Sequence, residues 1–355
     1  MGSTKFSDKK PIGVIGVGSF GSVIANMLAE RNQVLVYARK EETVDEINNL
    51  HTVNGKPMDT TIQATNDPQL ICETCDVLFP IVPSSGFREV MRTFAPFLHP
   101  YHLMIHGTKG LDLNLPEGKS LMEARKVERT AICTMSEVIQ NEAVVVRIGC
   151  LAGPNLATEL AMKQPAATVI ASKFNEVILE GQRLLRRDYF QVYGNKDIIG
   201  VELSGILKNI IAIAAGALAG MNLGENARGL LISRGMVELI HLGTAMGGRT
   251  KSFMGLAGIG DLVTTCSSTL SRNYTVGFRL AQGERLEQII AGMDETAEGI
   301  NTVKLVKLFL EGEGIRAPIT ESLYKVLFGG ARVEAALKYL MKIPLNVDVD
   351  FLWND

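Results

Sequence analysis

A lysine in an apolar helix is costly, and this sequence places one at position 208, inside VELSGILKNIIAIAAGALAG. An ammonium there must be partnered or face a cleft, because an isolated buried charge is strongly unfavourable. Ser204, Gly205 and Ala212 lie at i−4, i−3 and i+4 on the same helical face. Such small side chains leave room for a ligand beside Lys208. Desolvation lowers a lysine pKa toward the range useful for proton transfer. A lysine that snorkels to the domain surface satisfies the segment equally well.

Three other segments weigh in favour of a site. His106-Gly107-Thr108-Lys109-Gly110 follows an expected strand, so Lys109 stands at a carboxyl end, where open α/β sheets bind ligands. Gly153-Pro154-Asn155 does the same after another strand. Gly258-Ile259-Gly260-Asp261 leads through Thr265 to Ser271-Arg272-Asn273. That last trio reads as a helix start carrying a hydroxyl, a guanidinium and an amide, a suitable phosphate clamp. Taken singly, each has a plainer reading: Asp261 as an N-cap, and Ser271-Arg272-Asn273 as a solvated cap. Their joint occurrence is what points to chemistry.

The nearest sign of a cofactor is Gly16-Val17-Gly18-Ser19-Phe20-Gly21, a G-x-G-x-x-G motif. It follows the apolar run PIGVIGV (11–17) and opens a helical pattern over 18–31, the context that gives this motif its meaning. Gly16 permits a sharp turn, Gly18 lets backbone approach a pyrophosphate, and Gly21 allows close packing of helix on strand. The N–H groups of the first turn then face the anion. VLVYAR (34–39) closes the β-α-β unit, and its end carries Arg39 and Lys40 where NAD-specific sites usually carry an acid. Arg39 therefore predicts that NADP(H) is accepted, while Glu41 and Glu42 keep NAD(H) open. A solvated surface cation is the plainer reading of Arg39.

These residues need a scaffold. Strand patterns recur at 76–82, 102–107, 130–134, 150–153, 166–172 and 191–194, with a helix near 86–97, which implies a mostly parallel, doubly wound sheet. Beyond Asp197 the pattern turns helical, at 198–219, 225–247, 272–282, 285–292, 299–312 and 319–328. The expected organisation is a leader of residues 1–10, expected to be disordered, a dinucleotide-binding domain over 11–196 and a helical substrate domain over 197–355. The tail from Ala331 carries Val333, Ala336, Leu337, Leu340 and Met341 in helical order, then an extended end with Trp353.

Composition narrows the function class. The chain has 355 residues, too many for one typical core. A net charge of −2 gives no footprint for nucleic acid or an anionic membrane. An anionic small ligand must therefore be held by a few local cations. The five cysteines, an odd number scattered along the chain, do not form a secreted disulfide framework. Cys72 and Cys75 make a lone C-x-x-C without a second pair, so they read as ordinary thiols and no metal is expected. Residues 1–10 lack the apolar core of a signal peptide, and Ile210–Leu218 reads as too short to span a bilayer. A cytoplasmic location is expected.

Together, G-V-G-S-F-G, T-K-G, G-P-N-L-A, E-L-S-G-I-L-K-N, G-L-A-G-I-G-D-L-V-T-T-C, S-R-N and E-G-I-N-T resemble the soluble bacterial NAD(P)-dependent glycerol-3-phosphate dehydrogenases. The resemblance runs from about Ile12 to Pro318, with the motifs in the family's order. It implies a Rossmann-type sheet followed by an all-α domain, and interconversion of dihydroxyacetone phosphate and sn-glycerol 3-phosphate for phospholipid synthesis. It implies Lys208 as proton donor and acceptor, with Lys109 and Asp261 beside it in catalysis. Substrate contacts would come from Lys109, Gly153, Asn155, Lys208 and Asp261, and from Thr265, Ser271, Arg272 and Asn273. The nucleotide would meet Gly16, Gly18, Ser19, Phe20, Gly21 and Arg39, then Lys109, Ala157, Arg272 and Glu298.

The chain departs from the family at Asn155, usually Ser or Thr, at Ser85, where many members have His, and at Thr296, commonly Val. Apolar helices in the second domain fit a homodimer. Two rival readings remain: another two-domain hydroxyacid dehydrogenase, whose substrate carboxylate needs its own cation, and a silent NADP(H) sensor, which has no need of Lys208, Lys109, Asp261 and Arg272 together.

Overall fold

The structure, a computed structural model, describes residues 10–114, 126–293, 295 and 297–343. Residues 1–9 of the expected leader, Thr296 and the end of the tail, Trp353 included, lie outside the described residues; Lys10, the last of the expected leader, pairs with Asp76 at 2.8 Å. The chain divides into two compact units, residues 1–108 with 135–198, and residues 109–134 with 199–355.

The first unit is built on an eight-stranded sheet. Its strands are β1 (Ile12–Ile15), β2 (Val34–Tyr37), β3 (Gln63–Thr65), β4 (Val77–Pro80), β5 (Leu103–His106), β6 (Arg147–Ala152), β7 (Ala166–Ser172) and β8 (Phe190–Asn195). Their order across the sheet is β8-β7-β6-β5-β4-β1-β2-β3. β1 pairs in parallel with β2 (Ile12 opposite Val34) and with β4 (Ile12 opposite Val77), so strand order reverses at β1. That reversal is the switch point where doubly wound sheets bind nucleotides beyond the carboxyl ends of the strands. β1 and β4 are continuous apolar runs, and β5 is one up to His106, as strands covered on both faces by helices are. Helix α1 (Ser19–Ala29) crosses from β1 to β2 and buries Ile24, Ala25, Met27 and Leu28 in a core shared with Val14, Phe79 and Ile105. The sheet is parallel except at β6 and β7, which run antiparallel.

The second unit is helical. Its described helices include α2 (Ile198–Gly220), α3 (Glu225–Ala245), α4 (Asp261–Ser267), α5 (Arg272–Ala281), α6 (Glu298–Glu313) and α7 (Pro318–Phe328). α2 is 23 residues long, so the stretch read as too short to span a bilayer belongs to a helix long and apolar enough to do so. Of its most apolar window, 89% is buried inside the fold, which makes it the core of this unit. α5 lies directly on α2: a Cβ at Gly277 would stand 1.8 Å from the Ile213 carbonyl oxygen, and one at Gly216 would stand 1.9 Å from that of Tyr274. On α3, the buried Glu238 carboxylate accepts from the backbone N–H groups of Ile319 and Thr320, both at 2.8 Å, and so caps α7. Burial pushes that carboxyl above its ordinary range.

The segment expected to supply a sheet strand at 130–134 behaves differently. Ile132–Thr134 pairs antiparallel with Leu111–Leu113 in a separate two-stranded ribbon. Residues 109–134 group with the helical unit, whereas the sequence reading had kept them with the nucleotide domain. The reason is bonding to residues distant in sequence. Arg129 Nε donates to the Met246 carbonyl at 2.7 Å, Thr134 Oγ1 donates to Glu202 at 3.0 Å, and Val127 N–H donates to the Leu308 carbonyl at 3.1 Å.

Candidate active site

The first unit presents the glycine turn at the carboxyl end of β1. Gly16 has φ +103°, and its N–H donates to the Tyr37 carbonyl at 3.1 Å. A Cβ at Gly21 would stand 2.1 Å from the Gly16 carbonyl oxygen, so helix and strand are in backbone contact here. A Cβ at Gly18, by contrast, meets nothing within 4 Å, leaving open space beside the first turn of α1. That turn carries no acidic residue, and Gly18 supplies no side-chain cap. An open N-terminus with its dipole unneutralised fits a pyrophosphate. Gly21→Ala is expected to cost about 1–3 kcal/mol of stability through overpacking and to weaken nucleotide binding. Melting curves with and without NADPH check this; a variant matching the parent in both would contradict it.

Arg39 and Lys40 are exposed beyond β2, ahead of Glu41 and Glu42. The structure also shows an element that the sequence reading missed. Thr52–Val53 and Lys56–Pro57 form a hairpin whose turn residues have φ +50° at Asn54 and +70° at Gly55. An Asn-Gly pair between short strands is a strong hairpin signal and could have revealed it. Its Lys56 Nζ donates to Ser19 Oγ at 3.4 Å.

Past β6, Gly153 adopts φ +154°, with the Thr168 Cα 3.1 Å from where its Cβ would be. Asn155 Nδ2 donates to Thr168 Oγ1 at 2.8 Å. Its Oδ1 is buried and without a partner among the described residues, which is an available acceptor. Ala157 opens the short helix Ala157–Ala161.

The second unit holds the charged cluster. Lys208, 5% exposed, does not snorkel. Its Nζ lies 2.9 Å from Asp261 Oδ1 and donates to Thr265 Oγ1. Lys109 Nζ donates to the other carboxylate oxygen, Asp261 Oδ2, at 2.6 Å. Thr265 Oγ1 in turn donates to the Asp261 carbonyl at 2.6 Å. One buried carboxylate is thus shared by two ammonium groups. Asp261 is not the N-cap considered from sequence. Gly260 occupies that position without a side-chain bond, a π-helical turn over Leu256–Gly260 precedes it, and the Asp261 carboxylate is directed to the lysines.

The charges set one another. Burial lowers the Lys208 ammonium from its ordinary value to about 8; Asp261 opposes the shift and Lys109 adds to it. Burial alone would push the Asp261 carboxyl up, but Lys109 and Lys208 outweigh it and hold it below its ordinary value. The adjacent Cys266 thiol is pushed up to about 12 by burial, so it stays protonated at neutral pH. Cys72 and Cys75 are likewise buried, free and raised to about 12.

The trio at the start of α5 divides its work. Ser271 accepts from the Tyr274 N–H at 3.3 Å, so it is the helix cap. Asn273 is buried, and its Oδ1 accepts from the Gly299 N–H at 2.9 Å, next to Glu298. Arg272 keeps its guanidinium half exposed and paired with Glu295. The structure therefore joins Lys109, Lys208, Asp261 and Thr265 in one cluster. It places Arg272 on the solvent side of α5, in an ion pair of its own.

A lysine tuned to about 8 and clamped on a shared carboxylate is suited to moving a proton to or from an oxygen. The comparisons with known proteins agree with that chemistry. Residues 11–178 match the family model for the N-terminus of NAD-dependent glycerol-3-phosphate dehydrogenase, and residues 197–338 match the model for its C-terminus. The chain is 38% identical to the glycerol-3-phosphate dehydrogenase [NAD(P)+] of Staphylococcus epidermidis over 341 residues, covering 94% of this chain and 98% of that one. It is 38% identical to the enzyme of the same name from Staphylococcus aureus, covering 93% and 97%. The crystal structure of glycerol-3-phosphate dehydrogenase from Coxiella burnetii superposes with a TM-score of 0.83 at 31% identity, covering 94% of this chain and 99% of that one. With both halves matched in order and the buried lysine cluster in place, the chain belongs to the NAD-dependent glycerol-3-phosphate dehydrogenase family.

Proposed function

We propose that this protein interconverts dihydroxyacetone phosphate and sn-glycerol 3-phosphate with NAD(H) or NADP(H), in the cytoplasm, and so supplies glycerol 3-phosphate for phospholipid synthesis. The observation that carries the reading is the buried cluster in which Asp261 holds Lys208 on one oxygen and Lys109 on the other. The bound nicotinamide supplies or takes up the hydride; the protein's groups handle the charge and the proton. In the reductive direction negative charge grows on the C2 oxygen of the ketone. The Lys208 ammonium stabilises that oxygen and then protonates it, while Asp261 fixes the amine. Lys109 orients the same oxygen or the adjacent hydroxyl. In the oxidative direction the neutral Lys208 amine accepts the hydroxyl proton.

Arg272, released from Glu295, binds the substrate phosphate, with Ser271 and Asn273 fixing the start of its helix. Asn155 Oδ1 is assigned as acceptor for a substrate hydroxyl, beside Gly153. The nucleotide is assigned to the turn from Gly16 to Gly21, to Arg39, and to Ala157, Lys109, Arg272 and Glu298. The exposed apolar residues Leu230, Met254, Val263 and Leu270 of the second unit support a homodimer.

The test is a purified-protein assay at the nicotinamide absorbance band, with dihydroxyacetone phosphate or 2-keto acids and each reduced cofactor. Turnover of the phosphorylated ketone is expected to exceed that of the keto acids by at least about 10²-fold, since a site built for one polar group rejects its absence strongly. Faster keto-acid turnover would point to a hydroxyacid dehydrogenase, and no turnover at all to a sensor. Both cofactors are expected to serve. A preference for NADH beyond about a hundredfold, the size of a charge-assisted hydrogen bond working for the wrong cofactor, would contradict the role of Arg39.

A further inference from the structure

We infer that Lys56 is a phosphate-binding residue of the nucleotide site, an assignment that rests on the cofactor reading above. The ammonium stands beside the first turn of α1: Lys56 Nζ is 3.4 Å from the side-chain oxygen of Ser19, the first residue of that helix. No acidic residue in that turn competes for it.

The hairpin that carries Lys56 is anchored from several sides. Its turn is a two-residue one with both central residues in the left-handed region, a geometry that matches the twist of the flanking strands. Glu46 accepts from Thr52 Oγ1 at 2.9 Å, and the Met58 N–H donates to the His51 carbonyl at 2.8 Å. Val53 and Met58 are buried. Above all, Asn26 of α1 donates to the Pro57 carbonyl at 3.0 Å and accepts from the Asp59 N–H at 2.8 Å. The helix assigned to the pyrophosphate thus fixes the backbone that directly follows the lysine. None of these anchors uses the Lys56 side chain, which is exposed.

A phosphate between Lys56 and the first-turn amides gains an ammonium in addition to the helix dipole. The group could be the pyrophosphate, common to both cofactors, or the 2′-phosphate found only in NADP(H). The first predicts equal losses for the two cofactors, the second a loss confined to NADPH.

The experiment measures dissociation constants of NADH and NADPH by fluorescence titration of the full chain, for the parent, Lys56→Gln and Lys56→Arg, at two ionic strengths. Lys56→Gln is expected to weaken binding roughly tenfold for a charge-assisted contact and to make it less sensitive to salt. Lys56→Arg is expected to restore most of it. Equal weakening identifies the pyrophosphate and loss of NADPH alone identifies the 2′-phosphate; either supports the assignment. Unchanged constants for both cofactors in Lys56→Gln, with parental melting behaviour, overturn it. Should the parent itself bind neither cofactor, the proposed function fails instead, so the two failures are distinct.

Discussion

Lys208→Ala is expected to reduce kcat by about 10²–10⁴, the usual contribution of a positioned proton donor, while the dissociation constant for the nucleotide barely moves. The split follows from where the groups sit. The glycine turn belongs to the sheet unit, whereas the Lys208 ammonium is bound to Asp261 and Thr265 within the helical unit. The fold should survive, because Asp261 keeps its bond to Lys109 and no carboxylate is left unpaired. Lys208→Arg should not rescue turnover. A guanidinium remains charged across the working pH range and can accept no proton. Stopped-flow and steady-state assays with dihydroxyacetone phosphate check this, and near-normal kcat in Lys208→Ala would refute the role.

Asp261→Asn should do more damage to the fold. It removes the carboxylate charge that bridges the buried Lys208 ammonium and Lys109. Removing one partner of a buried ion pair typically costs about 3–5 kcal/mol. The sign with pH follows from the depressed carboxyl. A group held below its ordinary value contributes stability that is fully present above its unfolded pKa and lost as pH falls through the folded one. The gap in denaturation midpoint between parent and variant should therefore be wide at neutral pH and narrow in acid. The same change removes the influence that raises the Lys208 pKa, so burial and Lys109 should carry it further below 8. An unchanged midpoint at neutral pH, or a gap that widens in acid, would count against this electrostatic account.

Much of this arrangement is legible in the residues. β1, the glycine turn, α1 and β2 follow from an apolar run, three glycines and a helical stripe. The long helices of the second unit follow from periodicity, because each buries a broad apolar face. Ile132–Thr134 was not legible as a ribbon strand, since three buried β-formers read the same whether they extend a sheet or pair with Leu111–Leu113. What places it is distant bonding, from Arg129 to Met246 and from Thr134 to Glu202. The antiparallel step between β6 and β7 is hidden for a similar reason: direction across a sheet is set by the connecting chain, not by strand composition.

Within the candidate site, Lys208 and Asp261 were singled out by the cost of charge and by glycine context. Their pairing depends on a π-helical turn that aims the carboxylate, and no side chain signals that turn. Lys56 was overlooked although Asn54-Gly55 marks its hairpin, because a lone surface lysine carries no pattern until Ser19 is beside it.

The claim that one amine, tuned by burial and a shared carboxylate, moves the proton is tested most directly by the pH dependence of kcat/KM for ketone reduction. Protonated Lys208 is the active form in that direction, so the rate should hold level in mild acid and fall about tenfold per pH unit above a break near 8. The break should move to lower pH in Asp261→Asn. A profile without a break between about 6.5 and 9.5, or one whose break ignores Asp261, would mean that the proton comes from elsewhere.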